Sequence, residues 1–309
     1  MKYGIQYGKA EVNVYRTHGT PLVGVTAIPE SPFTGRENSL MAAEIEIQVR
    51  GQGFLESYTE GDNRQVVATD TMKNFIHATS ADSPAATIEG WLDHVGRAFL
   101  AHYPHMERIT MVGRELPYPA ALVPAEDGDG FAASDVLFAR DRNDDSTARL
   151  DLELGTDGSV RLTDHACGRG GLQLIKITGS AFADFARDEH TTLPERKDRA
   201  LFTWMDIGWS YADGADALGA DASRYVAGDQ VADLAGSVFH QFVSLSIQHL
   251  VHEIGGRMLE RWPQLAEVSL DAQNRTWDPG TTHPDDPTVK TYADPRPPAG
   301  RIGLVMRRD

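Results

Sequence analysis

The feature that most constrains the fold of this chain is a strict alternation of apolar and polar side chains in residues 43–50. The apolar members are Ala43, Ile45, Ile47 and Val49, and every position between them is charged or carries an amide. A period of two with one polar face predicts a strand of an antiparallel sheet that covers a core on one side only. Such a sheet needs helices or a second sheet against its apolar face.

The same plan recurs along the chain. Strands are predicted at 5–16, 43–50, 108–116, 150–154, 160–162, 172–175, 199–209, 266–270 and 301–307. Helical spacing of apolar residues follows a start at Ser83-Pro84 and runs again from 230 to 262, where Val243 opens the apolar stripe and Gly255-Gly256 is a candidate break. Residues 117–130 and 278–300 are predicted connections. The sequence therefore predicts an α+β protein with an internal pseudo-repeat of about 150 residues, divided into halves 1–146 and 147–309.

Composition excludes several classes of function. With 45 acidic and 29 basic residues among 309, the formal charge of −16 argues against a nucleic-acid or anionic-membrane partner. No apolar run reaches about 18 residues, and the first residues lack the apolar stretch of a signal peptide, so a cytoplasmic protein is expected.

Metal and phosphate motifs are weak in this sequence. The single cysteine, Cys167, excludes an intramolecular disulfide and a CxxC zinc site. His249, His252 and Glu253 lack the HExxH pattern, and the glycines in residues 168–171 match no phosphate-loop spacing and predict a bulge or loop. The sequence therefore contains no convincing metal cluster.

One short stretch, Val66–Asn74, combines a buried-strand pattern with polar groups at its end. Residues 66–68 are interpreted as the end of a strand, after which Thr69 and Asp70 place a hydroxyl and a carboxylate at the edge of a site. A helix N-cap or an Asx turn explains the same Thr-Asp pair. The local pattern leaves both interpretations open.

Five motifs follow one another in a fixed order. They are Tyr7-Gly8-Lys9, Val67–Asn74, Phe185–Leu193 with Asp198-Arg199, Ser246-Ile247-Gln248, and Ser269-Leu270 leading to Asn274. In this order and with these gaps the chain resembles the urate oxidase (uricase) family, of bacterial type, over nearly its whole length. The resemblance implies two tandem tunnelling-fold halves, each an antiparallel sheet with helices on one face. It also implies that the sheets close into a barrel between subunits of a homotetramer, with active sites at the subunit interfaces.

The resemblance further implies oxidation of urate by dioxygen and water to 5-hydroxyisourate and hydrogen peroxide, without metal or cofactor. Arg199 and Gln248 match the family's purine clamp, whose guanidinium and amide suit the planar edges of urate. Phe182 matches the aromatic side chain that stacks on the ring, and Ile247 contributes a backbone N–H. Asn274 is expected to hold dioxygen and then water.

The remaining implied roles concern proton transfer. Lys9 and Thr69 match the family's relay pair, and Thr69 with Asp70 is expected to contact the purine from the neighbouring subunit. Thr276 stands where many members of the family carry a His that completes the relay. Since Thr does not titrate near neutral pH, we expect Thr276 to orient a water and the pH profile to be altered.

Two rival interpretations remain open at this point. Another tunnelling-fold enzyme of purine or pterin metabolism, such as a GTP cyclohydrolase-like protein, would bind zinc through Cys and His, which one cysteine and scattered histidines disfavour. A non-catalytic purine-binding homologue would keep Arg199, Gln248 and Phe182. The presence of both Lys9 and Thr69 argues against the second rival, because binding alone does not need a relay.

Overall fold

The structure is a computed structural model that describes residues 3–277, 279–293 and 296–308, except for the side chains at positions 276 and 296. Its strands are β1 (Gln6–Thr17), β2 (Leu22–Val23), β3 (Gly35–Arg36), β4 (Leu40–Arg50), β5 (Arg108–Glu115), β6 (Ala120–Pro124), β7 (Phe131–Phe138), β8 (Asp145–Leu154), β9 (Val160–Phe182), β10 (Arg196–Tyr211), β11 (Leu265–Thr276), β12 (Pro279–Thr282), β13 (Lys290–Tyr292) and β14 (Arg296–Arg307). Its helices are α1 (Glu56–Thr59), α2 (Thr69–Ala81), α3 (Ile88–His102), α4 (Gly214–Ala217), α5 (Gly228–Gln241) and α6 (Ile247–Arg261). The predicted α+β class with antiparallel strands is confirmed.

The chain forms two compact units. The first comprises Met1–Ala27, Phe33–Gly168 and Ser210–Ala227, and the second comprises Ile28–Pro32, Arg169–Trp209 and Gly228–Asp309. The two units are defined by contacts within the folded chain, whereas the predicted halves 1–146 and 147–309 are defined by an internal repeat of the same elements. The boundary of the tandem halves therefore stays a prediction.

The first unit is built on antiparallel strands in the order β1-β4-β5-β8, followed by the start of β9. The alternation predicted in residues 43–50 is confirmed, because Ala43, Ile45, Ile47 and Val49 are each 0% exposed. Helix α3 buries an apolar face in the same core, with Trp91, Leu92, Val95 and Phe99 at helical spacing. Each of these large side chains stabilises the fold by about 1.5–3 kcal/mol through removal from water.

The second unit contains the end of β9 and then the order β10-β11-β14, with α5 and α6. Helix α6 packs on β11 and β14, and Ile254 and Met258 of α6 and Val268 and Leu270 of β11 are buried. At Gly255, a Cβ atom would lie 2.8 Å from the sulfur of Met306 on β14. The predicted break at Gly255-Gly256 is therefore wrong, because the glycine serves close packing of an uninterrupted helix.

Residues 66–68 are not the end of a strand, which corrects the sequence-based interpretation. They form a loop before α2, and the N–H of Val67 donates to the Tyr7 hydroxyl instead of to a strand partner. Helix α2 begins at Thr69 and buries Met72, Ile76 and Ser80 at intervals of four residues. This spacing was present in the sequence and is the signal that identifies the helix.

Two predicted helix boundaries also change. Helix α3 begins at Ile88 instead of at Ser83-Pro84, because the Thr87 hydroxyl accepts a hydrogen bond from the Gly90 N–H at 3.1 Å and caps the helix. The predicted helical region 230–262 is two helices separated by residues 242–246. Val243 lies in that separation and is 54% exposed, so it does not belong to an apolar stripe.

Two predicted connections, 117–130 and 278–300, contain strands. Residues 117–130 lead into the hairpin β6–β7, residues 279–292 form the hairpin β12–β13, and β14 begins at position 296. The glycine-rich residues 168–171 lie inside the continuous strand β9, where Gly171 has φ +74° and its N–H donates to Asp206. Among the described residues, no helix is long and apolar enough to cross a membrane.

Candidate active site

A cavity of about 650 Å³ lies in the second unit. Its lining includes the five predicted substrate-binding residues of this unit, Phe182, Arg199, Ile247, Gln248 and Asn274. They come from the end of β9, the start of β10, the first turn of α6 and the end of β11. The fold thus brings together residues that are up to 92 positions apart in the sequence.

Arg199 is the central cation of this cavity. The guanidinium carbon lies 5.6 Å from the centroid of the Phe182 ring, and burial lowers the pKa of Arg199 below its usual value. Its Nε is buried and has no hydrogen-bond partner among the described residues. A partly desolvated guanidinium with an unsatisfied donor is suited to a planar ligand that offers acceptor atoms.

The first turn of α6 provides a second set of donors. The Ser246 hydroxyl caps the helix by accepting from the His249 N–H at 3.0 Å. Ile247 and Gln248 occupy the first two helical positions, whose N–H groups have no partner within a helix. Free N–H groups and the helix dipole favour an anionic or acceptor-rich ligand at this end of α6.

Asn274 lies where the ladder between β11 and β14 becomes irregular. It pairs with Gly300, and the register shifts before the next pair at Thr276. The side chain of Asn274 lines the cavity at this irregularity. An amide in that position can both donate and accept hydrogen bonds.

The cavity also contains residues that the sequence analysis missed. Trp277 and Tyr292 stack with ring centroids 4.1 Å apart and planes inclined by 21°. The Arg275 guanidinium lies 4.1 Å from the centroid of the Trp204 ring, and Lys290 of β13 is a further cation in the lining. The clustering of Arg, Lys and aromatic residues in positions 275–292 of an acidic chain is the signal that points to them.

The first unit gathers a separate group of predicted residues, Lys9, Thr69 and Asp70. Lys73 holds the pKa of the Asp70 carboxyl below its usual value through a 2.5 Å contact, and the charge of Lys9 acts in the same direction. Thr69 and Asp70 form the first turn of α2 and are exposed. The structure therefore places an ammonium, a hydroxyl and a carboxylate in one neighbourhood.

Two residues beside Lys9 fix the geometry of this neighbourhood. The Tyr7 hydroxyl accepts from the Val67 N–H at 2.8 Å and so ties the loop before Thr69 to β1, while burial raises the pKa of Tyr7. At Gly8, a Cβ atom would lie 1.9 Å from the carbonyl oxygen of Ile47 on β4. A side chain at Gly8 would therefore force β1 away from β4.

Within residues 3–277, 279–293 and 296–308, no cluster of three or more His, Cys, Asp or Glu side chains is placed to hold a metal ion. His249 Nε2 and His252 Nδ1 lie 3.7 Å and 3.5 Å from one carboxylate oxygen of Glu253.

Comparison with known proteins identifies the family. The family model described as uricase matches residues 5–145 and 165–303. The chain belongs to the uricase family. The uricase of Haloferax volcanii is 48% identical over 273 residues, which are 88% of each chain. The uric acid degradation bifunctional protein of Bacillus sp. TB-90 is 45% identical over 95% of this chain, which spans 58% of that relative's length.

Solved uricase structures share the fold. A crystal structure of urate oxidase from Bacillus sp. TB-90 superposes with a TM-score of 0.94 at 43% identity, covering 98% of this chain and 100% of that one. A uricase from Bacillus fastidious gives a TM-score of 0.93 at 40% identity, covering 98% of this chain and 93% of that one. The tunnelling fold implied by the resemblance is thereby confirmed.

One predicted catalytic residue of this uricase-family chain lies outside the described side chains. The structure describes the backbone of Thr276, which pairs with position 296, and not its side chain. The role of Thr276 stays a prediction, as do the roles of Lys9, Thr69 and Asp70.

Proposed function

We propose that this chain is a urate oxidase that converts urate, dioxygen and water into 5-hydroxyisourate and hydrogen peroxide without a metal or cofactor. The observation that carries the proposal is the cavity of a uricase-family chain that gathers Phe182, Arg199, Ile247, Gln248 and Asn274. Their types match a planar, acceptor-rich anion. The urate ring itself supplies both electrons that reduce dioxygen to peroxide.

Binding is proposed to use complementary edges of the purine. Arg199 donates two parallel hydrogen bonds to acceptors on one edge, and the Gln248 amide donates and accepts on another. Phe182 stacks on the ring face. The N–H of Ile247, at the positive end of α6, adds a donor for the anion.

Proton transfer is proposed to use the group in the first unit. The Thr69 hydroxyl is proposed to relay a proton from urate to the Lys9 side chain in its amine form, which raises the electron density of the ring and prepares it for dioxygen. Asn274 holds dioxygen over the ring and then holds the attacking water. Thr276 is proposed to orient a water in place of the family's His.

Assembly is proposed to complete the site. In a homotetramer, Thr69 and Asp70 of one subunit would contact urate bound in the cavity of another. In the strand order of the described residues, β1 and β14 stand at the two ends, each with a neighbouring strand on one side only. Closure of sheets between subunits would pair such edges. A substrate, dioxygen and water are then the only small molecules required.

The test follows the ultraviolet band of urate after addition of the purified chain, with a chelator present and peroxide measured in parallel. Loss of the band with one peroxide formed per urate, undiminished by the chelator, is the expected result. Urate binding without loss would favour a purine-binding protein that lost activity with the family's His. Neither binding nor loss would refute the proposal.

A further inference from the structure

Asp198 precedes the clamp residue Arg199 and lines the same cavity, yet its carboxylate is engaged elsewhere. One oxygen accepts from the Gly179 N–H at 2.7 Å, and both oxygens accept from the Thr178 hydroxyl, at 3.0 and 2.8 Å. These bonds join the start of β10 to β9. They also hold the pKa of Asp198 below its usual value, the Gly179 N–H being the largest cause.

Gly179 is in turn bonded to the segment that leads into α6. Its φ is +78°, and its carbonyl accepts from the Ser244 N–H at 3.3 Å. The Ala181 N–H donates to the Ser244 carbonyl at 2.7 Å, and the hydroxyls of Ser180 and Ser244, both 0% exposed, lie 3.0 Å apart. The turn at Gly179 therefore contacts two segments at once.

Each of the three hydrogen-bonded segments also contributes a residue that lines the cavity. Phe182 follows Gly179 by three positions, Ile247 follows Ser244 by three positions, and Arg199 follows Asp198 directly. A carboxylate in a cavity for an anion raises the cost of binding that anion unless it has another task. The nearby charge of Lys290 favours the ionised form and offsets part of this cost.

We propose that Asp198 is a positioning residue whose carboxylate holds the Gly179 turn and thereby sets Arg199 against Phe182 and the first turn of α6. The inference rests on the proposed function, since it gives Asp198 a role in urate affinity. Asp198 acts through the backbone of Gly179 and does not contact the purine. An uncharged acceptor of the same shape would serve equally well.

The test compares Asp198→Ala with Asp198→Asn, whose amide oxygen can still accept from the Gly179 N–H. Asp198→Ala is expected to raise KM for urate about tenfold with a smaller change in kcat, because clamp geometry is lost. Asp198→Asn is expected to stay near wild type. Asp206→Ala is the matched control, since Asp206 also lies on β10 and accepts from a β9 N–H, that of Gly171, at 2.7 Å, outside the cavity lining.

Hydrogen exchange of peptides covering residues 176–182 provides a readout that needs no urate. Protection is expected to fall in Asp198→Ala and to persist in Asp198→Asn. An equal rise of KM for urate in both variants would overturn the inference, because it would show that the negative charge itself acts on the substrate. Unchanged exchange or unchanged KM in Asp198→Ala would overturn it as well. A wild-type chain that neither binds nor oxidises urate would refute the proposed function, while the exchange result would still decide the role of Asp198.

Discussion

The two groups of site residues differ in how far the fold prepares them. In the second unit, Arg199 is half-buried, Ile247 is 3% exposed, and both line one cavity. In the first unit, Lys9 is half-buried, Thr69 and Asp70 are exposed, and the Asp70 side chain retains 70% of its accessible surface. The group in the second unit lines a cavity that can bind a ligand, whereas the group in the first unit presents its hydroxyl and carboxylate at a surface.

This difference indicates which step, urate binding or proton transfer, each group can perform within one chain. Charges that face water are screened and reorganise with the solvent, so they contribute little to a transition state. Partly desolvated donors in a cavity act more strongly. We infer that binding determinants are prepared within the chain and that proton transfer would gain strength if Thr69 and Asp70 are covered in the proposed assembly.

The largest effect is expected from Lys9→Met. Loss of the amine of the proposed relay should lower kcat by roughly 10²–10⁴-fold, as is typical when a general base is removed, while urate binding persists. Lys73→Met is the matched control, because Lys73 is the nearest ion-pair partner of Asp70 and is 40% exposed. Steady-state kinetics and anaerobic urate binding measure both. An equal loss in the two variants would remove the distinction between Lys9 and its neighbours.

The second prediction concerns the stability of the first unit and leaves Lys9 unchanged. Glu89, in the first turn of α3, is 2% exposed, and it accepts from the Tyr225 hydroxyl at 3.0 Å. Burial raises the pKa of Glu89 from 4.5 to about 7. The folded state therefore binds a proton that the unfolded state releases. The contribution of Glu89 is fully present below about pH 4.5 and is lost as the pH rises through about 7.

Glu89→Gln removes this dependence. The stability of the variant relative to wild type should increase by about 3 kcal/mol between pH 4 and pH 8, since each pKa unit corresponds to about 1.4 kcal/mol. Urea unfolding at the two pH values measures the change, and Glu60→Gln, at an exposed carboxylate of the same unit, is the control. A stability difference that stays constant with pH would contradict the prediction.

The third prediction concerns the prepared cavity. Arg199→Lys should raise KM for urate more than tenfold, because an ammonium cannot reproduce two parallel hydrogen bonds. Arg196→Lys is the matched control, on the same strand and in the same cavity lining. An unchanged KM for Arg199→Lys would show that the cavity binds urate without its guanidinium and would erase the contrast between the two groups.

The sequence predicted the parts of the site that depend on residue order. Arg199, Gln248 and Phe182 were identified because motifs in a fixed order indicate a family, and the cavity contains all three. The stacked pair Trp277 and Tyr292 was missed, since Trp277 precedes the hairpin β12–β13 and meets Tyr292 through strand pairing that local patterns do not encode.

For the fold as well, the sequence predicted some elements correctly and left others undecided. Alternation in β4 identified a strand correctly, because one face of it is wholly buried. Helix α2 was left as one open alternative, a helix N-cap at Thr69-Asp70, because Val66 and Val67 suggested a strand just before it. The helical spacing of Met72, Ile76 and Ser80 decides for the helix. Tyr7 explains the difference, since its hydroxyl satisfies the Val67 N–H that a strand partner would otherwise bind.

The smallest effect is expected from Thr276→His, and it tests whether proton transfer is confined to the first unit. Thr276 follows Asn274 by two positions on β11, in the unit that carries the cavity. A histidine there restores the family's relay type and adds a group with an ordinary pKa of about 6.5. The variant should stay active, and its pH–rate profile should gain a limb near that pKa.

Thr276→Val separates the hydroxyl from the imidazole. If Thr276 orients a water, the valine variant should lose activity at every pH without a new limb, because valine neither donates nor titrates. The pH dependence of kcat for the three forms measures this. A profile that is identical in wild type and Thr276→His would mean that position 276 lies outside the proton path. Proton transfer would then rest on Lys9 and Thr69 alone, and the contrast between a binding cavity and an exposed relay would become sharper.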